Sequence, residues 1–192
     1  MKKVLLLVCA QVFLGSLFAQ STSGIDQKEQ EGIVWMRQEE KLARDVYDSL
    51  LRKWGSHPFN HIRQSEQRHM DRMENLIGAF QLTDPVKERG DLPGKFANPL
   101  FDKLYQELVT AGSGSEAAAF EVGARIEELD IKDLNERMAQ AKQKSILETY
   151  EDLKWASGNH LRAFVRNLKG AGKSYQPVFL SANEFNEIIK AQ

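Results

Sequence analysis

From Phe59 to Phe80 the chain reads FNHIRQSEQRHMDRMENLIGAF, and alternate steps of three and four residues pick out Phe59, Ile62, Glu66, His69, Met73, Leu76 and Phe80. That is one stripe of a long helix, with a carboxylate and an imidazole set into an otherwise apolar line. The pattern restricts the fold severely. A helix whose buried face carries ionisable groups must meet other helices that supply their partners, because an unpaired buried charge is either costly or neutralised. Glu66 and His69 lie one turn apart on the same face, where they can share a cation or simply pair with each other.

Three more stretches carry the same signature. Residues 29–54 place Ile33, Met36, Ala43, Tyr47 and Leu50 at helical spacing, with Glu40 in the line between Met36 and Ala43; Arg44 stands at i+4 as its alternative partner. Glu39 falls on a neighbouring stripe with Trp35, Leu42 and Val46. Residues 115–141 align Phe120, Ala124, Glu127, Ile131, Leu134 and Met138, and Ser113 with Glu116 reads as a capping box before them. Glu121, Glu128 and Asp130 lie close by, and spacing does not choose among them and Glu127. A fourth helix, opened by Ser145 and Glu148 as another capping box and closed by Gly170-Ala171-Gly172, aligns Ile146, Tyr150, Leu153, Ser157, His160, Phe164 and Leu168.

The connections set the order of packing. Gly55-Ser56-His57-Pro58 is a tight turn, which makes the first two helices antiparallel neighbours. Residues 83–99 contain Pro85, Gly90, Pro93, Gly94 and Pro99 and form a long crossover, in which Leu92, Phe96 and Leu100 can pack, leading into a short helix over 99–110. The expected fold is all-α, a four-helix bundle over residues 29–173 with the long crossover between its second and third long helices. Residues 174–192 are a C-terminal extension whose Ser181-x-x-Glu184 caps a short helix. The three tryptophans read as packing, and His57 and His61 as capping or solvent-facing groups.

Residues 1–19, MKKVLLLVCAQVFLGSLFA, have a basic start, an apolar run and a small residue at a cleavage site, the pattern of a signal peptide; residues 20–28 follow as a flexible leader. The expected location is periplasmic or extracellular. Cleavage leaves 24 basic against 27 acidic residues, a net charge of −3, with no basic block to suggest nucleic acid or an anionic membrane as partner. It also removes Cys9, the only cysteine, and with it disulfides, iron–sulfur clusters and thiolate zinc sites. A metal in this chain has to be held by Glu, Asp and His.

The segments EEKLARDVY (39–47), SEQRHM (65–70), IEELDIKDL (126–134) and NHLRAF (159–164) resemble a ferritin-like family designated domain of unknown function 2202, over most of residues 32–189. The resemblance implies a ferritin-like bundle with a metal site built from Glu40, Glu66, His69, Glu127 and His160. Iron is the metal it favours, with zinc or manganese as alternatives, and it implies oxidase or peroxide chemistry of a di-iron type. Tyr47, seven residues after Glu40, matches a core tyrosine of that pattern, and Tyr47 and Tyr150 are expected to hydrogen-bond to the site. The fourth helix departs from the pattern: Ser157 stands where a Glu three residues before His160 would complete a second E-x-x-H. Asp130 can compensate from the third helix. Against this stands a metal-free helical bundle acting as a binding or structural protein of the cell envelope, its buried Glu and His pairing with one another. A homodimer is compatible with either.

Overall fold

The computed structural model describes residues 24–191; the expected signal peptide and residues 20–23 lie outside the described residues. Within them the chain is helical without strands: α1 (Gln27–Trp54), α2 (His57–Ala79), α3 (Pro85–Glu88), α4 (Pro99–Gly112), α5 (Glu116–Met138), α6 (Lys144–Gly170) and α7 (Ala182–Lys190). α1 packs along α2, and α5 along α6. The two pairs are joined by α1 against α5 and α2 against α6, while α4 lies on α1 and α5, and α7 on α6.

Local chemistry explains the ends. Asp26 and Glu29 form a capping box that starts α1 at Gln27, inside the stretch expected to be a loose leader. Gly55 closes α1 in the left-handed region at φ 67°, and α2 begins at once with Pro58 in its first turn. Neither interior capping box predicted from sequence forms. Ser115 caps α5, accepting from the Ala118 N–H at 3.1 Å, while Glu116 accepts from Ser56 Oγ. At α6 the expected Ser145–Glu148 box is absent; Glu29 of α1 accepts from the Lys142 and Gln143 N–H groups at 2.7 and 2.8 Å just ahead of the helix, and Lys144 pairs with Glu148. A long-range carboxylate tethers the approach to α6, and local spacing does not show it.

The core falls into two apolar clusters separated by a polar layer. One contains Tyr47, Leu50, Phe59, Phe120, Leu161 and Phe164, with the Phe59 and Phe164 ring centroids 5.4 Å apart. The other contains Ile33, Met36, Met73, Leu76, Leu153 and Tyr150. Trp35 and Trp54 are half-buried, but Trp155 is 73% exposed and is no packing residue; Leu92 and Leu100, expected to pack, are exposed as well.

The crossover is held by a basic edge of α1. Arg37, 3% exposed, makes a two-pronged contact with Asp84 at 3.2 and 2.9 Å, donates to the Met70 carbonyl at 2.6 Å and reaches Glu74 at 3.0 Å. One turn on, the buried Lys41 pairs with Asp45, donates to the Leu92 carbonyl at 2.9 Å and lies 4.6 Å from the Phe96 ring centroid. Arg44 bridges Asp45 and Asp91. Asp45 also accepts from the N–H of Gly94, which sits at φ 67° with the Tyr105 ring against it. So the 17 residues between 83 and 99 are a fixed part of the molecule.

α5 and α6 meet through Gly123, where an added Cβ would stand 2.5 Å from a carbon of the rigid, buried Phe164 ring. Gly123→Ala is expected to destabilise the protein by about 1–3 kcal/mol, as overpacking does. A lowered urea midpoint at unchanged helix content would show it; an unchanged midpoint would mean that α5 and α6 part without strain.

Candidate metal centre

The polar layer is made by one face of each long helix. Glu40, Glu66, Glu127 and His69 are 1–4% exposed, and the His160 side chain is 11% exposed. Oxygen and nitrogen atoms from Glu40, Glu66 and His69 lie within 4.8 Å of one another, and so do those from Glu66, Glu127 and His160. Glu66 belongs to both groups. Its Oε2 is 2.8 Å from His69 Nδ1 and its Oε1 is 2.9 Å from His160 Nδ1. Glu40 Oε2 lies 3.1 Å from His69 Nδ1, and Glu127 Oε2 3.4 Å from His160 Nδ1. The two imidazoles face each other with centroids 5.7 Å apart and planes 22° from parallel.

The five residues singled out from sequence are therefore brought together. Their alternatives sort cleanly. Glu121 is exposed, and Arg44 turns away from Glu40 to Asp91 and Gln67. Glu128 is fully buried for another reason: it accepts from the Tyr175 hydroxyl and from the N–H groups of Val178 and Leu180, at 2.9 and 3.1 Å, so it anchors the C-terminal extension. Asp130 does enter the core, 4% exposed, and Ser157 Oγ donates to its Oδ2 at 2.5 Å. At the position that lacks a glutamate, the fourth helix holds a carboxylate of the third.

Tyr47 donates to Glu127 Oε1 at 2.6 Å, as expected. Burial, followed by the charge of Glu127, pushes the phenol well above its ordinary range, so it stays a donor. Tyr150 does not take part: it is buried beside Gly32 and Arg137 in the second apolar cluster, and its hydroxyl has no hydrogen-bond partner. His57 and His61 meet each other at the surface, with ring planes 44° apart and Nε2 atoms 3.1 Å apart.

Several polar atoms are left over. Among the described residues Glu40 Oε1 and Asp130 Oδ1 are buried without a hydrogen-bond partner, and Glu66 Oε1 and His160 Nδ1 approach each other without hydrogen-bonding geometry. Buried polar atoms are rarely left so, and atoms that crowd together without bonding to one another are arranged as ligand atoms of a common cation are. The donor set of carboxylate oxygens and imidazole nitrogens suits iron, manganese or zinc. Beside the centre, an open cleft of about 270 Å³ between α2 and α6 is lined by Ser65, Arg68, His69, Arg72, Asp152 and Trp155. His69 Nε2, its nitrogen away from Glu40 and Glu66, lies 3.5 Å from Ser65 Oγ.

The titration of the metal-free centre follows from these contacts. Burial lifts the Glu40 carboxyl to about 7 against the pull of His69. Burial works to raise Glu66 also, but His69 and His160, one on each oxygen, overcome it and hold that carboxyl well below its usual range. Burial disfavours the charged form of His160, yet Glu66 and Glu127 raise it to about 10. A raised histidine contributes stability that is complete below its unfolded value of about 6.5 and lost as pH rises through about 10. A raised glutamic acid loses stability from its unfolded value of about 4.3 up to about 7, so both act in one direction, while Glu66 acts oppositely on the acid side. Chelator-treated protein is thus expected to be most stable near pH 4.3, to weaken first through Glu40 up to about pH 7, and to weaken further through His160 up to about pH 10. Thermal unfolding across that range checks this, and His160→Gln should flatten the alkaline limb.

Comparison with known proteins places the chain. It is 46% identical over 167 residues to the uncharacterized protein MJ0754 of Methanocaldococcus jannaschii, covering 87% of this chain and 89% of that protein. A crystal structure of hypothetical protein MJ0754 from Methanococcus jannaschii DSM 2661 superposes with a TM-score of 0.85 at 45% identity, over 88% of this chain and 95% of that one. The model of the uncharacterized protein domain DUF2202 matches residues 29–192. With four long helices, their connections and the polar layer all inside the matched region, the chain belongs to the DUF2202 family.

Proposed function

We propose that the protein is an exported ferritin-like metalloprotein, a four-helix bundle of α1, α2, α5 and α6 that binds two divalent ions, iron foremost, in its polar layer. The observation that carries this reading is the sharing of Glu66 between Glu40 and His69 on one side and Glu127 and His160 on the other. A carboxylate with one oxygen toward each group is what a pair of ions needs as a bridge. Charge agrees. Glu40, Glu66, Glu127 and Asp130 carry up to four negative charges when ionised, which two divalent cations neutralise. The orphaned oxygen of Glu40 would be available to an ion as a further ligand.

When bound, a reduced iron pair would supply two electrons to dioxygen or peroxide. The chain's own contribution is positioning. Tyr47 fixes Glu127, Ser157 fixes Asp130, and the two apolar clusters exclude bulk water on either side of the layer. Proposed export rests on residues 1–19.

Metal analysis and Co(II) titration of the chelator-stripped chain test the reading. Two ions per chain are expected, with Glu66→Ala losing both because it serves both groups, and Glu40→Ala retaining one. Metal at 100 times its dissociation constant should add about 2.7 kcal/mol of stability, removed again by EDTA. A metal-free bundle, whose His69 and His160 are already neutralised by carboxylates, would ignore EDTA and added metal alike. Near-zero metal in both wild type and Glu66→Ala would overturn the metal reading.

A further inference from the structure

The centre uses fewer carboxylates than this side of the core contains. Glu39, Asp130 and Asp133 are 3, 4 and 8% exposed; among the described residues Glu39 and Asp130 form no ion pair, and the Arg137 guanidinium acts on Glu39 only from a distance. Glu39 Oε2 and Asp133 Oδ2 accept the same indole N–H, that of Trp35, at 2.9 and 3.0 Å. Two buried carboxylates on one neutral donor are a net cost to folding. Asp133 alone has a cation, Lys132 at 3.1 Å, on the more exposed side. Asp130 lies one turn of α5 from Asp133 and one from Glu127, and among the described residues its Oδ1, like Glu40 Oε1, is buried without a hydrogen-bond partner.

These residues form a line with two ends. At the outer end, Trp35 lines an open cleft of about 690 Å³ together with Glu31, Gln38, Glu88 and Arg137, and the Arg137 guanidinium lies 5.4 Å from the indole ring centroid. Trp35 holds Asp133 and Glu39. At the inner end Glu39 is followed in the chain by Glu40, and Asp130 lies one turn of α5 from Glu127. The opposite side of the centre has the reverse sign: the cleft beside His69 presents Arg68, which has no ion-pair partner, and Arg72, which is paired with Asp152. Charge of one sign along an approach to a buried site concentrates counter-ions there and turns away ions of its own sign.

We propose that Asp133, Glu39 and Asp130 form the route by which divalent cations travel from the Trp35 cleft to the centre, Glu39 handing the ion to Glu40. The inference rests on the metal-binding reading of the centre and adds to it the direction of entry. It gives these buried carboxylates a purpose that packing does not supply. It also separates two openings by charge, the acidic one for cations and the arginine-lined one closed to them.

The test is Co(II) uptake by the chelator-stripped full chain, followed by stopped-flow absorption together with the equilibrium stoichiometry. Glu39→Gln and Asp133→Asn keep an acceptor for the Trp35 N–H while removing the charge. Each is expected to slow uptake about ten-fold or more, to flatten its dependence on ionic strength, and to leave the stoichiometry as in wild type. Asp152→Ala, in the arginine-lined cleft, should leave the rate within about two-fold of wild type. Wild-type rates in both acidic-route variants, or a rate that follows Asp152 instead, would overturn the route while leaving the centre intact. Lost stoichiometry in Glu39→Gln would make Glu39 a ligand and overturn it too. If wild type takes up no Co(II), the metal reading falls and the route with it.

Discussion

Glu66 is the group on which the polar layer depends. Its two oxygens are claimed by imidazoles from different helices, His69 on its own α2 and His160 on α6. Each imidazole in turn meets a second carboxylate, Glu40 of α1 or Glu127 of α5. One side chain thus ties all four long helices at a single level. The apolar clusters on either side could slide or rotate by a residue at small loss, since aliphatic contacts are non-directional. Ionisable groups at fixed heights could not, because a shift would strand charge in the core. The layer costs stability and gives register in return.

The helices and this layer were legible in the sequence because both are periodic. Glu40, Glu66, His69, Glu127 and His160 stand out as ligand types inside apolar stripes, and the stripes survive folding because burial follows the 3.6-residue repeat. What spacing did not decide was settled by partners remote in the chain. Glu127 and Glu128 are adjacent and equally buried, yet one faces the centre and the other receives backbone N–H groups fifty residues later. Likewise Glu29, which tethers the approach to α6 from α1, displaced a local capping box that looked complete on paper.

Other features carried no periodic signal at all. Arg37, Lys41 and Arg44 lie off both apolar stripes of α1, and the crossover folding over them is what covers Arg37 and Lys41. Glu39 accepts from Trp35 on its own stripe, but spacing could not show that the same indole N–H also serves Asp133, 98 residues from Trp35. Trp155 shows the opposite error, a large apolar residue at the edge of a buried stripe that ends in solvent. Composition says what a side chain prefers; only the tertiary arrangement says which of its preferences is met.

The basic clamp on α1 bears on the centre as well as on the crossover. α1 carries Glu39 and Glu40 on one flank, while Arg37, Lys41 and Arg44 on another are fastened to Asp84, Asp91 and the Leu92 carbonyl. A helix fastened on both flanks has lost its freedom to roll about its own axis. The geometry at Glu40 is thereby set partly by a loop that never touches it, much as the tension of a string is set at its peg. Sequence change in the crossover would then be felt in the core as a small rotation of Glu40.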